Sequence, residues 1–201
     1  MLSLRGSGER FLNMKKLFFI VSVFLLSGCA SVNPYALTKT QTVLDLSNNR
    51  GVALFTLKVN NPAQGSRLSL ASFTARETNQ YKAYNTLGYY SVPLTQESYS
   101  VQDDLYFCSA ILTSGIYRLD SFNGMINLLF GVPYTLKMDK IFDVYPGVIS
   151  YLGRLDSGPL DMKSAFMQLK SIRDNYEQDT VKFKEIFPVL QNKEIGKDSF
   201  Y

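Results

Sequence analysis

Cys29 and Cys108 are the only thiols in a chain that contains no histidine. A reactive thiolate needs a basic neighbour, an imidazole or a helix N-terminus to form near neutral pH. Cys108 has none of these close by in sequence. It lies in the apolar run Leu105-Tyr106-Phe107-Cys108-Ser109-Ala110-Ile111-Leu112 and reads as a buried thiol acting as a small hydrophobe. The missing imidazole excludes a Ser-His-Asp triad, a Cys-His pair and His-ligated zinc. Ser-Lys catalysis is the remaining nucleophilic option. Lys163-Ser164 and Lys170-Ser171 are adjacent pairs, without the Ser-x-x-Lys spacing that sets both groups on one helix face. An enzyme is therefore not expected, and no catalytic residue is assigned.

Carboxylates give no metal site. Asp139 and Asp143 flank Lys140-Ile141-Phe142 with no third carboxylate close by in sequence. Asp120-Ser121-Phe122-Asn123-Gly124 and Asp156-Ser157-Gly158 lack the alternation and distal glutamate of an EF-hand loop, and turn chemistry accounts for them. No cofactor is expected either. Tyr81, Tyr84, Tyr89, Tyr90 and Tyr99 cluster in one segment. Tyrosines on a β-surface can stack on sugar rings, so Tyr81, Tyr84, Tyr89 and Tyr90 are the candidate glycan contacts. The alternative is that they are ordinary strand aromatics.

The other thiol sits in a different setting. Met14-Lys15-Lys16 precedes an apolar run from Leu17 to Leu26. Ten residues make a signal-peptide h-region and fall short of the ~20 that span a bilayer. Leu26-Ser27-Gly28-Cys29 follows and resembles the lipobox of bacterial lipoproteins. The resemblance implies diacylglycerol on the Cys29 thiol, recognition of Leu26, Ser27 and Gly28 by signal peptidase II, and cleavage before Cys29. Two or three acyl chains then hold a protein stably on a membrane. Ala30 follows the cysteine where an aspartate would signal inner-membrane retention, which favours the outer membrane, facing the periplasm. Met14 is the better start, and residues 1–13 read as an artefact of start-site assignment.

Processing changes the charge balance. Residues 1–28 carry Arg5, Arg10, Lys15 and Lys16 against Glu9, so 17 basic residues face 16 acidic ones from Cys29 onward. The basic balance of the full chain gives no argument for nucleic-acid binding. With Cys29 acylated, Cys108 has no disulfide partner.

The elements that must position these groups are mostly short strands. Residues 29–50 form a lipidated N-terminus and tether, ending in the turn Asn48-Asn49-Arg50-Gly51. A β-domain runs over 51–172, with its strongest strand at Leu105–Leu112 and further strands that include Gly51–Val59 and Val148–Leu155. Thr113-Ser114-Gly115 reads as the turn of a hairpin and Asn123-Gly124 as another turn. Phe107, Ile111, Tyr117, Leu119 and Leu152 are the expected core. Residues 173–201 hold a short amphipathic helix near Asn175–Phe187, with Asp174 as N-cap and Tyr176, Thr180, Phe183 and Phe187 as its apolar stripe. A polar tail, 191–201, follows.

Leu105-Tyr106-Phe107 with Ser114-Gly115-Ile116-Tyr117-Arg118-Leu119 resembles the hairpin of transthyretin-like (prealbumin-like) β-sandwich modules, with Ser114 where proline is usual. Val144-Tyr145-Pro146-Gly147-Val148 through Leu155, and the helical segment Asp174 to Leu190, are similar to the closing strand and tail of uncharacterised envelope lipoproteins of that type. The resemblance covers about Gly51 to Leu190. It implies an all-β fold, an antiparallel β-sandwich with a short C-terminal α-helix, and carries no active site. The expected function is a lipid-anchored, non-enzymatic cell-envelope protein. Its partners would be the membrane, through its lipid, and an envelope protein, with glycan or peptidoglycan binding through 81–99 as the alternative.

Overall fold

Strands dominate the chain because its apolar residues come in runs of five to nine bounded by turn residues, too short and too β-branched or aromatic for helices. The computed structural model describes residues 35–59, 68–78, 89–93, 99–100, 105–126, 132–158 and 166–201. All belong to the unit Asn33–Tyr201; the unit Met1–Val32, which holds the stretch read above as signal and lipobox, lies outside the described residues. The described strands are β1 (Arg50–Lys58), β2 (Leu68–Glu77), β3 (Tyr89–Pro93), β4 (Tyr99–Ser100) and β5 (Leu105–Thr113). They continue with β6 (Gly115–Ile126), β7 (Val132–Val144), β8 (Ile149–Ser157), β9 (Phe166–Arg173) and β10 (Gly196–Lys197). Among the described residues one α-helix, α1 (Tyr176–Ile186), stands between β9 and β10.

The strands form one curled, mixed sheet in the order β3-β2-β6-β7-β9-β8-β1-β5-β4, with β10 added to β8. The expected purely antiparallel arrangement is corrected here: β1–β8, β7–β9 and β8–β10 run parallel. The reason lies in the connections. Thr113-Ser114-Gly115 does not close a hairpin, because β5 pairs with β1 and β4 whereas β6 pairs with β2 and β7. Ser114 is a corner at which the chain leaves one half of the sheet for the other. Its N–H donates to the Asn49 carbonyl at 2.7 Å, and the Tyr117 hydroxyl reaches back to the Thr113 carbonyl at 2.8 Å. Pro146-Gly147 makes a second corner, from β7 to β8, with Gly147 at φ 71°. Two corners in place of hairpins bring β8 in parallel to β1. Asn123-Gly124 is no turn: both residues lie inside β6, opposite Thr135 and Tyr134 of β7.

β9 joins the halves. Its start pairs with β7 and its end with β8. The curl sets β1 over β2 and β6, with the Phe55 ring 5.2 Å from that of Phe73 and 6.1 Å from that of Phe122 in edge-to-face contact. This inner core collects Phe55, Leu57, Cys108, Tyr117, Leu119, Phe142, Leu152 and Leu155. The opposite face of β8-β1-β5 is buried too, under α1, by Leu54, Phe107, Ile111, Tyr151, Phe183 and Phe187. Strands covered on both faces carry near-continuous apolar runs, which is why β1 and β5 lack alternation. All five residues expected in the core are buried, although Phe107 and Ile111 face the helix while Tyr117, Leu119 and Leu152 face inward.

Both flanking segments are built into this body. In the stretch read as a tether, the Tyr35 carbonyl accepts from Ile111 N–H at 2.9 Å and the Leu37 N–H donates to the Ser109 hydroxyl at 2.9 Å. In the stretch read as a polar tail, Ile195 and Phe200 are buried, β10 lies along β8, and Tyr201 exchanges two backbone hydrogen bonds with Ile141 of β7. That segment closes the seam between β8 and β7 which β9 leaves open.

Candidate functional site

A glycine in a strand interior often marks a bulge, and Gly153 does so in β8. It stands at φ 124°, and the β1–β8 register steps from Leu54↔Tyr151 to Thr56↔Arg154, two residues against three. The extra residue resets the alternation, so Tyr151 and Arg154 share the helix-side face with Leu54 and Thr56. A Cβ at Gly153 would meet the Arg173 carbonyl and the Ile172 side chain, each at 3.3 Å.

Asp179, on the inward face of α1 and 1% exposed, drops into this face. Its Oδ2 accepts from the Thr56 hydroxyl at 2.6 Å, from the Tyr151 hydroxyl, and from Arg154 Nε at 3.3 Å; its Oδ1 accepts from Arg154 Nη2. Burial first, then the hydrogen bond and charge of Asp179, push the Tyr151 hydroxyl far above its usual range. A carboxylate with its acceptor sites engaged and no solvent contact is a structural clamp between helix and sheet. A second buried carboxylate, Asp156, is bonded by Arg173 and by the Ser171 hydroxyl at 3.2 Å, while its Oδ1 has no partner. Burial would raise its pKa, but the bond and charge of Arg173, with Ser171 and Lys58, outweigh that and hold it below the usual range.

The open feature is a groove of about 520 Å³ between β7 and β9, lined by Lys137, Met138, Asp139, Lys140, Leu169 and Lys170 among others. The two strands pair only over Thr135–Lys137 and Phe166–Gln168. They then part, because β7 is bulged at Asp139, a non-glycine residue at φ 53°, where the β6 register steps from Leu119↔Lys140 to Ser121↔Lys137. Met138 is buried and Leu169 packs on the inner core, giving an apolar floor. Asp139 pairs with Arg118 at 3.4 Å. Beyond the groove, Asp143 accepts from the exposed tyrosines Tyr145 (3.3 Å) and Tyr201 (3.1 Å).

The residues singled out from the sequence fall elsewhere. Cys29, with Leu26, Ser27 and Gly28, and the tyrosines Tyr81 and Tyr84 lie outside the described residues. Tyr89 and Tyr90 are neighbours on β3, in register with Arg76 and Ala75 of β2. Cys108 is fully buried, and burial pushes its thiol well up. Asp139 and Asp143 are engaged as above, and among the described residues no three of His, Cys, Asp and Glu stand together as a metal site. The groove and the Asp179 clamp are the features that sequence reasoning missed. Asp179 was detectable as an acid inside the apolar stripe of Tyr176, Thr180 and Phe183. Comparisons with protein-family models, curated proteins and solved structures return no match to this chain.

Proposed function

We propose that the chain is a lipid-anchored, non-enzymatic protein of the bacterial cell envelope, held by Cys29 on the outer membrane facing the periplasm, that works by binding a protein partner. The observation that carries this reading is Leu26-Ser27-Gly28-Cys29 at the end of a ten-residue apolar run. The arrangement of the fold supports it. Among the described residues its most deeply buried charged group, Asp179, is committed to joining helix and sheet, and its open groove exposes strand edges and lysines suited to a macromolecular contact. Docking of Tyr35 against β5 leaves five residues between it and Cys29, a reach of at most about 22 Å, so the domain would ride close to the lipid surface.

We further propose that the curled sheet is a β-sandwich whose two layers are joined along β9. Its support is the shared core in which Phe55 of β1 meets Phe73 and Phe122. The corner at Ser114 and the parallel β1–β8 pair weigh against a transthyretin-like connectivity. The anchor is tested by labelling cells with radioactive palmitate. The protein should incorporate label and sediment with membranes, and Cys29→Ala should abolish both; label retained by the variant would overturn the reading.

A further inference from the structure

The groove between β7 and β9 is an interrupted stretch of sheet. After Lys137 and Gln168 the strands no longer pair. Residues 138–140 of β7 and 169–172 of β9 therefore face each other without a strand partner on that side among the described residues. Unpaired edge N–H and C=O groups are a template for another strand. The same edge of β7 already accepts one: Ile141 exchanges backbone hydrogen bonds of 2.9 and 3.0 Å with Tyr201. The open stretch is four residues long on β9, about 13 Å of extended chain.

Charge narrows the occupant. Lys137, Lys140 and Lys170 line the groove and have no carboxylate partner among the described residues, whereas the one acid in the lining, Asp139, is engaged by Arg118. Lysines on an edge repel a second copy of the same edge and attract an acidic strand. An anionic headgroup would satisfy the lysines, but phosphate esters supply no row of alternating donors and acceptors and leave the Met138–Leu169 floor unused.

We propose that this groove binds an acidic, extended segment of a protein partner by strand addition between β7 and β9, with alternate apolar side chains on the floor and acidic ones beside Lys137, Lys140 and Lys170. This rests on the partner-binding reading above and gives it a site.

The test uses the full acylated chain in detergent micelles and a fluorescein-labelled peptide of alternating glutamate and valine. Anisotropy should saturate, and hydrogen exchange should slow at residues 138–140 and 169–172. Lys140→Glu with Lys170→Glu should weaken binding by about tenfold or more without moving the urea midpoint. Peptide N-methylated at alternate residues should fail to bind. Equal binding of the N-methylated peptide or of a lysine–valine peptide, protection elsewhere, no saturation, or displacement only by phosphatidylglycerol vesicles would each overturn the proposal. A cross-linker at exposed Val181 that captures a defined envelope protein, with no peptide bound in the groove, would leave partner binding standing and remove this site.

Discussion

Arg154 of β8 grips both carboxylate oxygens of Asp179, 25 residues further along the chain, beneath helix α1. The pair is largely out of water, with side-chain exposures of 14% and 1%. Desolvation therefore consumes much of its Coulomb energy, and what matters is that no partner is left alone. Asp179→Ala would strand the guanidinium and the hydroxyls of Thr56 and Tyr151 together, and should cost about 3–5 kcal/mol in urea unfolding. Changing Asp179 and Arg154 together to apolar residues should recover much of that loss. A double variant as unstable as the sum of the single ones would show that the two residues act independently.

Gly153 should tolerate no side chain. Its φ of 124° is a region L-residues avoid, and the Arg173 carbonyl stands 3.3 Å from the point a Cβ would occupy. Gly153→Val should lower stability by about 1–3 kcal/mol from backbone strain alone. Loosening of the bulge should also carry Arg154 away from Asp179. An unchanged urea midpoint would mean that the bulge is not needed for the clamp.

Alkali should destabilise the protein in two stages. Burial raises the Cys108 thiol, so both states are protonated below about pH 8.5 and stability is full there. Above that, only the unfolded chain ionises. The Tyr151 hydroxyl, raised by burial and by Asp179, joins above about pH 10. Each group should remove about 1.4 kcal/mol per pH unit while its folded form stays protonated. Urea midpoints measured from neutral pH to about pH 11 should fall with a steepening slope, the first stage absent in Cys108→Ala and the second in Tyr151→Phe. A flat profile would place both groups in contact with water.

Phe200 packs edge-on against Phe55 and Phe142 at 5.6 and 5.8 Å and is 8% exposed. Phe200→Ala should cost about 3–5 kcal/mol, comparable to losing a ring from a central strand. A loss of only a few tenths in urea unfolding would return 196–201 to the status of a polar tail.

What the sequence discloses depends on range. β1, β5 and β8 are legible because each is a dense apolar run bounded by turn residues, and α1 because Tyr176, Thr180, Phe183 and Phe187 repeat at helical spacing. The cap shifts by one: Asn175 precedes the helix, and Asp174 instead accepts from Tyr176 N–H at 3.2 Å and pairs with Lys197. Pairing partners are not legible. Thr113-Ser114-Gly115 has the same composition whether the following strand returns beside β5 or crosses to the other half, and only the competing partners decide. Asn123-Gly124 is a turn by propensity and a strand by tertiary pairing with β2 and β7. Strict alternation from Leu152 would put Arg154 on the inner face, and only the bulge at Gly153 turns it toward the helix. The groove has no signal at all, being the place where two distant strands stop matching.

The closure of the seam by Gly196 to Tyr201 sets an order of events. Phe55 meets Phe200 across about 145 residues of chain, a loop whose closure is entropically slow to arrange. A chain emerging from a ribosome presents β1 first, yet its inner wall stays incomplete until residue 200 is out. Completion of that wall is therefore coupled to delivery of Phe200. A polypeptide stopped short of Phe200 would lack the ring that lies edge-on against Phe55 and Phe142, and the aromatic face left uncovered there would be a mark that a protease could recognise.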